Sequence, residues 1–192
     1  DGAKALARQI SDPVALDIVE WVRLRDGVGS FSDYQAFLKK NADWPGLDYL
    51  HQRGEAAIPE GQSAKQVLDY FKTIRPDTGT GVIRLTEALL ASGKTTEAQA
   101  EAVRAWRSFS MEKDERVKLL LTFEKTLTPH NIERLDMLLW RGLTEEAAAM
   151  TSVVDEGHVK LAEARIGLRK MVKNVDALIA AIPARMAASA GL

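Results

Sequence analysis

Apolar residues recur along this chain at spacings of three and four, with polar residues between them. No segment alternates with the period of two that a half-buried strand needs, so the pattern predicts helices throughout. The first follows Asp12-Pro13, a cap with proline at the first helical position. It carries Val14, Ile18, Trp21, Val22 and Arg25, and Gly27 and Gly29 end it. Ser32-Asp33-Tyr34-Gln35 has capping-box form ahead of the stripe Tyr34, Phe37 and Leu38. Asp43-Trp44-Pro45 opens a helix that ends before Pro59. Ser63-Ala64-Lys65-Gln66 is a second capping box, followed by Val67, Leu68, Phe71 and Ile74, with Pro76 as the stop.

Gly79 to Gly81 reads as a turn, and Val82, Leu85, Leu89 and Leu90 mark the helix after it. A helix from Thr95 to about Phe109 places Ala98, Ala102, Ala105 and Trp106 inside. Ser110 is positioned to cap the next, with Val117, Leu120, Leu121 and Phe123 as its face. Thr128-Pro129 repeats the cap-plus-proline device. Behind it Ile132, Leu135, Leu138 and Leu139 spread around much of a helix beside Met137 and Trp140, which predicts packing on two sides. An alanine-rich helix follows Thr144; Val159, Ala162, Ile166 and Met171 mark another, and Val175, Leu178, Ile179 and Ile182 the last before Pro183.

One signal occurs twice, as Gly93-Lys94-Thr95-Thr96-Glu97-Ala98 and as Gly142-Leu143-Thr144-Glu145-Glu146-Ala147. Glycine suits the left-handed position after a helix, threonine suits the cap of the next, and glutamate suits its first turn. Helix, tight turn, helix is thus expected more than once, with roughly ten to twelve helices in all. The expected fold is all-α: a superhelical stack of antiparallel hairpins, an irregular tetratricopeptide-like α-solenoid, forming one domain over residues 1–192. The two copies lie further apart than a tetratricopeptide period of about 34 residues, so the array is not a regular one.

The net charge of −1 and the absence of any basic run argue against a nucleic-acid surface. No stretch of about 18 apolar residues suggests a membrane span. Cysteine is absent, which removes disulfides, thiolate metal sites and a thiol nucleophile from consideration and suits an oxidising compartment. Asp1 is neither an initiator methionine nor part of a signal peptide, so a mature or trimmed form is expected.

Catalytic patterns are missing. His51, His130 and His158 are far apart and read as surface or helix-end residues. Gly27-Val28-Gly29 and Gly79-Thr80-Gly81 lack the third glycine of a phosphate loop and follow no strand. Glu112, Asp114 and Glu115 alternate with Lys113 and Arg116, the pattern of a solvated face. No catalytic, cofactor-binding or metal-ligating residue is therefore assigned. A tryptophan can stack on a sugar ring, yet Trp21, Trp106 and Trp140 sit in apolar stripes and are expected in the core; Trp44 is expected to brace the start of a helix. Arg134, Asp136 and Arg141, and likewise Glu163 and Arg165, are expected to pair with neighbouring turns of the stack.

Several strings in order resemble one family. Asp43-Trp44-Pro45-Gly46-Leu47, then Arg53-Gly54-Glu55-Ala56-Ala57-Ile58, is similar to the helical region of proteobacterial soluble lytic murein transglycosylases. So are Ala105-Trp106-Arg107, Arg134-Leu135-Asp136-Met137-Leu138-Leu139-Trp140-Arg141-Gly142 and Ala162-Glu163-Ala164-Arg165-Ile166-Gly167-Leu168-Arg169. The resemblance runs from about Asp12 to Leu192. It implies a periplasmic protein whose N-terminal superhelical domain serves a C-terminal lysozyme-like domain. That domain cleaves the β-1,4 bond between N-acetylmuramic acid and N-acetylglucosamine in peptidoglycan without water, leaving a 1,6-anhydro sugar, with one glutamate as acid and then base. The Glu-Ser pair and Gly-Leu-Met-Gln-type string of that catalytic domain are absent here, so no catalytic residue carries over. What the resemblance implies is a non-catalytic scaffold, a fragment of a longer chain, that shapes glycan access to a domain outside it. Its partners would be glycan strands through that domain and a protein on a concave face. The other expectation is a stand-alone helical-repeat adaptor for a protein or peptide.

Overall fold

The computed structural model describes residues 10–192. Among them are eleven α-helices and no strand. They are α1 (Pro13–Arg25), α2 (Phe31–Lys40), α3 (Leu47–Ala56), α4 (Ala64–Tyr70), α5 (Gly79–Ala91) and α6 (Thr95–Ser108), followed by α7 (Lys113–Leu127), α8 (Asn131–Arg141), α9 (Thr144–Ala149), α10 (Glu156–Lys170) and α11 (Val175–Ala180). Short 3-10 turns cover Thr128–His130, Met150–Val153 and Ala184–Met186.

The chain forms two compact units; the first ends at Lys94 and the second is Thr95–Leu192. In the first, α1 packs on α3 and α3 on α5, while α2 and α4 lie against their chain neighbours. Leu24, Tyr34, Phe37 and Leu50 form one core cluster there, and Phe31, Ile58, Val67, Tyr70, Phe71 and Ala88 another. The second unit repeats the scheme: α6 packs on α8 and α8 on α10, with α7, α9 and α11 on their neighbours. Central α8 is thus packed on two sides, as its broad apolar surface predicts. Ala98, Ala102, Ala105 and Trp106 of α6 are all buried, as their spacing predicts.

The glycine turns share one geometry. After α5 the Gly93 amide donates to the Leu90 carbonyl and the Lys94 amide to Leu89. After α8 the Gly142 amide donates to Leu139 and the Leu143 amide to Leu138. Both glycines have φ of 74°, the left-handed region where an L side chain crowds its own backbone. The same pair of bonds closes α1 at Gly27 and Val28, and α10 at Met171 and Val172. Thr144 is the first helical residue and makes no side-chain cap; Leu143 holds the cap position. The expected threonine cap is corrected there, because the glycine turn leaves one residue before the helix.

Other boundaries shift for local reasons. Asp12 caps α1 as expected, its Oδ1 accepting from the Val14 amide at 2.8 Å. The cap of α2 is Ser30, not Ser32: its hydroxyl accepts from the Asp33 amide, and Asp33 Oδ2 accepts from the Ser30 amide at 3.0 Å. Ser63 makes no side-chain cap, and Gln66 instead accepts from Gln62 at 2.6 Å. α4 ends at Tyr70, well before Pro76. Gly79 to Gly81 is not a turn but the first turn of α5, capped by Thr78. Glu112, not Ser110, precedes α7, whose buried residues are Leu119, Phe123 and Leu127, while Leu121 is exposed.

Met171 has φ of 50° and a side chain 88% exposed, so it bears left-handed strain with little packing in return. Met171→Gly is expected to raise stability by about 1 kcal/mol, read as a higher urea midpoint at unchanged slope. A lower midpoint would contradict this reading.

Asp33 titrates below its ordinary 3.8, chiefly because Arg23 hydrogen-bonds its carboxylate, at 2.9 Å. A depressed folded-state value stabilises the fold above the ordinary value and loses that stabilisation as pH falls through the folded value. The stability gap between wild type and Asp33→Asn should therefore narrow as pH drops below 3.8, seen in urea melts across acid pH. A gap that widens with acid would be inconsistent with this pairing.

Candidate functional site

Among the described residues of the first unit the one buried carboxylate is Glu55 on α3, 1% exposed. It accepts from the Asp77 amide at 3.1 Å, the Thr78 amide at 2.9 Å and the Thr78 hydroxyl at 2.6 Å. These donors lead into α5, so α3 sets a carboxylate at the positive end of the α5 dipole. A Cβ at Gly81 would collide with that carboxylate, which explains a glycine inside α5. Burial pushes Glu55 above the ordinary carboxylate range, and the hydrogen bonds pull it back. Its oxygens are taken up by the fold, so Glu55 joins helices.

In the second unit the corresponding joint is Arg134 on α8, whose side chain is fully buried. Its Nη1 donates to the Trp106 carbonyl at 2.9 Å, and its Nη2 to Glu146 at 3.0 Å. The guanidinium lies 4.1 Å from the centroid of the Trp106 ring. Glu146 on α9 also takes Arg116 of α7 at 3.4 Å and the Ser110 hydroxyl. Burial lowers Arg134 to about 10, the Glu146 charge opposing, so it stays cationic at neutral pH. Helices α6, α8 and α9 meet at this guanidinium, and α7 joins them through Arg116 on Glu146.

A concavity between α8 and α10 is about 400 Å³ in volume. Leu135, Leu139, Leu161 and Met186 give it an apolar floor. Arg165 of α10, 6% exposed, binds Asp136 of α8 at 2.6 Å and lies 5.0 Å from the Trp140 ring centroid. Arg169 reaches back to the Leu139 carbonyl at 3.3 Å. Trp140 is 54% exposed, which corrects the expectation that it is core. Arg134, Leu135, Leu138 and Leu139 occupy the inner face of α8, and Trp140 falls outside that arc, one ring face covered by Arg165. A half-exposed indole, a paired Asp136 and His158 at the rim can hold a ring with one apolar face and polar edges.

The expected pairings of Arg134, Asp136 and Arg165 are present, and Arg141 donates to the Ser108 carbonyl at 3.2 Å. Among the described residues Glu163 pairs only with Lys160, on its own helix. Trp106 is buried, and Trp44 braces α2 edge-on to Phe37 at 5.5 Å and lies 6.5 Å from Trp21. His130 pairs with Glu133 and His158 with Asp155, on exposed helix ends. His51 differs from the surface reading: it packs 5.8 Å from the Tyr70 ring, and burial lowers its pKa. Among the described residues no three acidic or histidine side chains converge to hold a metal ion. No helix of the described residues is long and apolar enough to cross a membrane. No protein-family model, curated protein or solved structure matches the chain.

Glu55 and the Arg134 joint carried a weak sequence signal: charged residues embedded in apolar helical runs. Arg134→Ala leaves Glu146 and two carbonyls without their buried donor and is expected to cost about 3–5 kcal/mol. Arg116→Ala, at a partly exposed site, should cost about 1 kcal/mol or less. Equal losses for the two in urea unfolding would show that burial of the joint is not what matters.

Proposed function

We propose that this chain is the non-catalytic helical scaffold of a periplasmic soluble lytic transglycosylase, an α-solenoid segment that shapes the approach of peptidoglycan glycan to a catalytic domain outside it. The observation that carries the proposal is where the resembling strings meet. The string Arg134 to Gly142 and the string Ala162 to Arg169 lie on α8 and α10. Their Asp136, Trp140 and Arg165 interlock at one groove, and Arg169 ties α10 to the Leu139 carbonyl at the end of α8. The string Arg53 to Ile58 supplies Glu55, the joint of the first unit. Residues that mark the family resemblance are thus residues that hold helices together, as a scaffold requires. The groove beside Trp140 supplies the chemistry for glycan: an indole face for the C–H face of a sugar, with polar groups at its edge. Glu55 is engaged in a cap, and Glu146 and Asp136 in ion pairs, so these three carboxylates serve the fold.

The test uses purified peptidoglycan sacculi. The 192-residue chain should sediment with them and release no 1,6-anhydro muropeptides, whereas the full-length natural protein should release them. Trp140→Ala should weaken sedimentation about tenfold, equivalent to roughly 1.4 kcal/mol. Anhydro products from this chain alone would overturn the scaffold reading. Unchanged sedimentation of Trp140→Ala would remove the groove from it.

A further inference from the structure

Among the described residues most arginines donate to a carboxylate or a backbone carbonyl; Arg25, Arg53 and Arg75 do neither. Two of these three line one concavity of about 580 Å³ in the first unit, with Val22, Asp26 and Tyr49. Each guanidinium is braced by an aromatic ring. Arg25, at the end of α1, lies 4.4 Å from the Trp21 ring centroid, and Arg53 on α3 lies 5.2 Å from that of Tyr49. The Arg53 Nε also donates to the Tyr49 hydroxyl at 2.9 Å, which fixes the plane of the fork, and among the described residues neither terminal nitrogen has a hydrogen-bond partner. Asp26, the one carboxylate in the lining, pairs with neither arginine, so the concavity carries a net positive charge. Gly27 adjoins the Arg53 Nη1, where even a Cβ would come within 3.5 Å.

Ring-braced guanidiniums lose less freedom on binding than extended surface arginines, and their paired N–H groups match the oxygens of a carboxylate or phosphate. We propose that this concavity is an oxyanion-binding site, in which Arg25 and Arg53 clamp a ligand bearing a carboxylate or phosphate group. It is separate from the groove beside Trp140 and does not depend on what that groove binds.

The test follows the Arg25 and Arg53 Nε–H and the Trp21 indole N–H by NMR while the 192-residue chain is titrated with inorganic phosphate or with glutarate. The Trp21 Nε1 is buried and has no acceptor among the described residues, so its signal reports the ring under Arg25. Saturable shifts confined to these signals and to residues near Gly27 are expected, weakening as sodium chloride rises. The tighter of the two probes tells phosphate from carboxylate. Arg53→Gln and Arg25→Gln should each weaken binding on the order of tenfold. Arg53→Lys, which keeps the charge without the fork, should weaken it less. Arg75→Gln, outside the concavity, should leave it unchanged. Shifts no larger than those from matched sodium chloride, or equal binding by Arg53→Gln and wild type, would overturn the proposal.

Discussion

The second unit depends on one buried charge. Arg134 is removed from water, and a bare guanidinium there would be heavily penalised. The unit answers by converging acceptors from α6 and α9 on it and laying the Trp106 ring against it. Because no single helix can satisfy Arg134, the helices have to be placed correctly relative to one another. Such a pair adds less to stability than an apolar core of equal volume, and its use is to specify position. The Trp106 indole N–H donates to Asn131 at 3.2 Å, so the ring that covers the arginine is itself tied to α8.

The first unit solves the same problem with the opposite charge. Among the described residues Glu55 has no arginine partner, and it accepts backbone and hydroxyl donors at the start of α5. A carboxylate needs several donors when buried, and the N-terminus of a helix supplies them in a fixed arrangement. Each unit thus rests on a charged side chain from one helix that closes open bonds on others. Both lie in strings on which the proposed scaffold reading rests.

Much of this was legible in the sequence, and the failures have physical causes. Helical periodicity located the elements because burial follows it, as in the stripe from Ala98 to Trp106. The glycine turns were readable because φ of 74° leaves few other choices. Met171 makes the same turn without glycine, so nothing in the sequence marked it. Gly79 to Gly81 read as a loop because glycine is a poor helix former; the reason for Gly81, the Glu55 carboxylate, lies 26 residues away in the chain. Trp140 was assigned to the core by its apolar neighbours, yet one residue is 100° of helix, enough to turn it out of the buried arc. The groove itself was not legible, because it forms only where α8 meets α10.

The most direct test of the buried joint as the organising constraint is a double-mutant cycle between Arg134 and Glu146, measured by urea unfolding. Removal of both partners should cost less than the sum of the single losses, with a coupling energy of about 2–3 kcal/mol. A coupling near zero would mean that the two groups act independently, and the joint would not be what holds these helices in place.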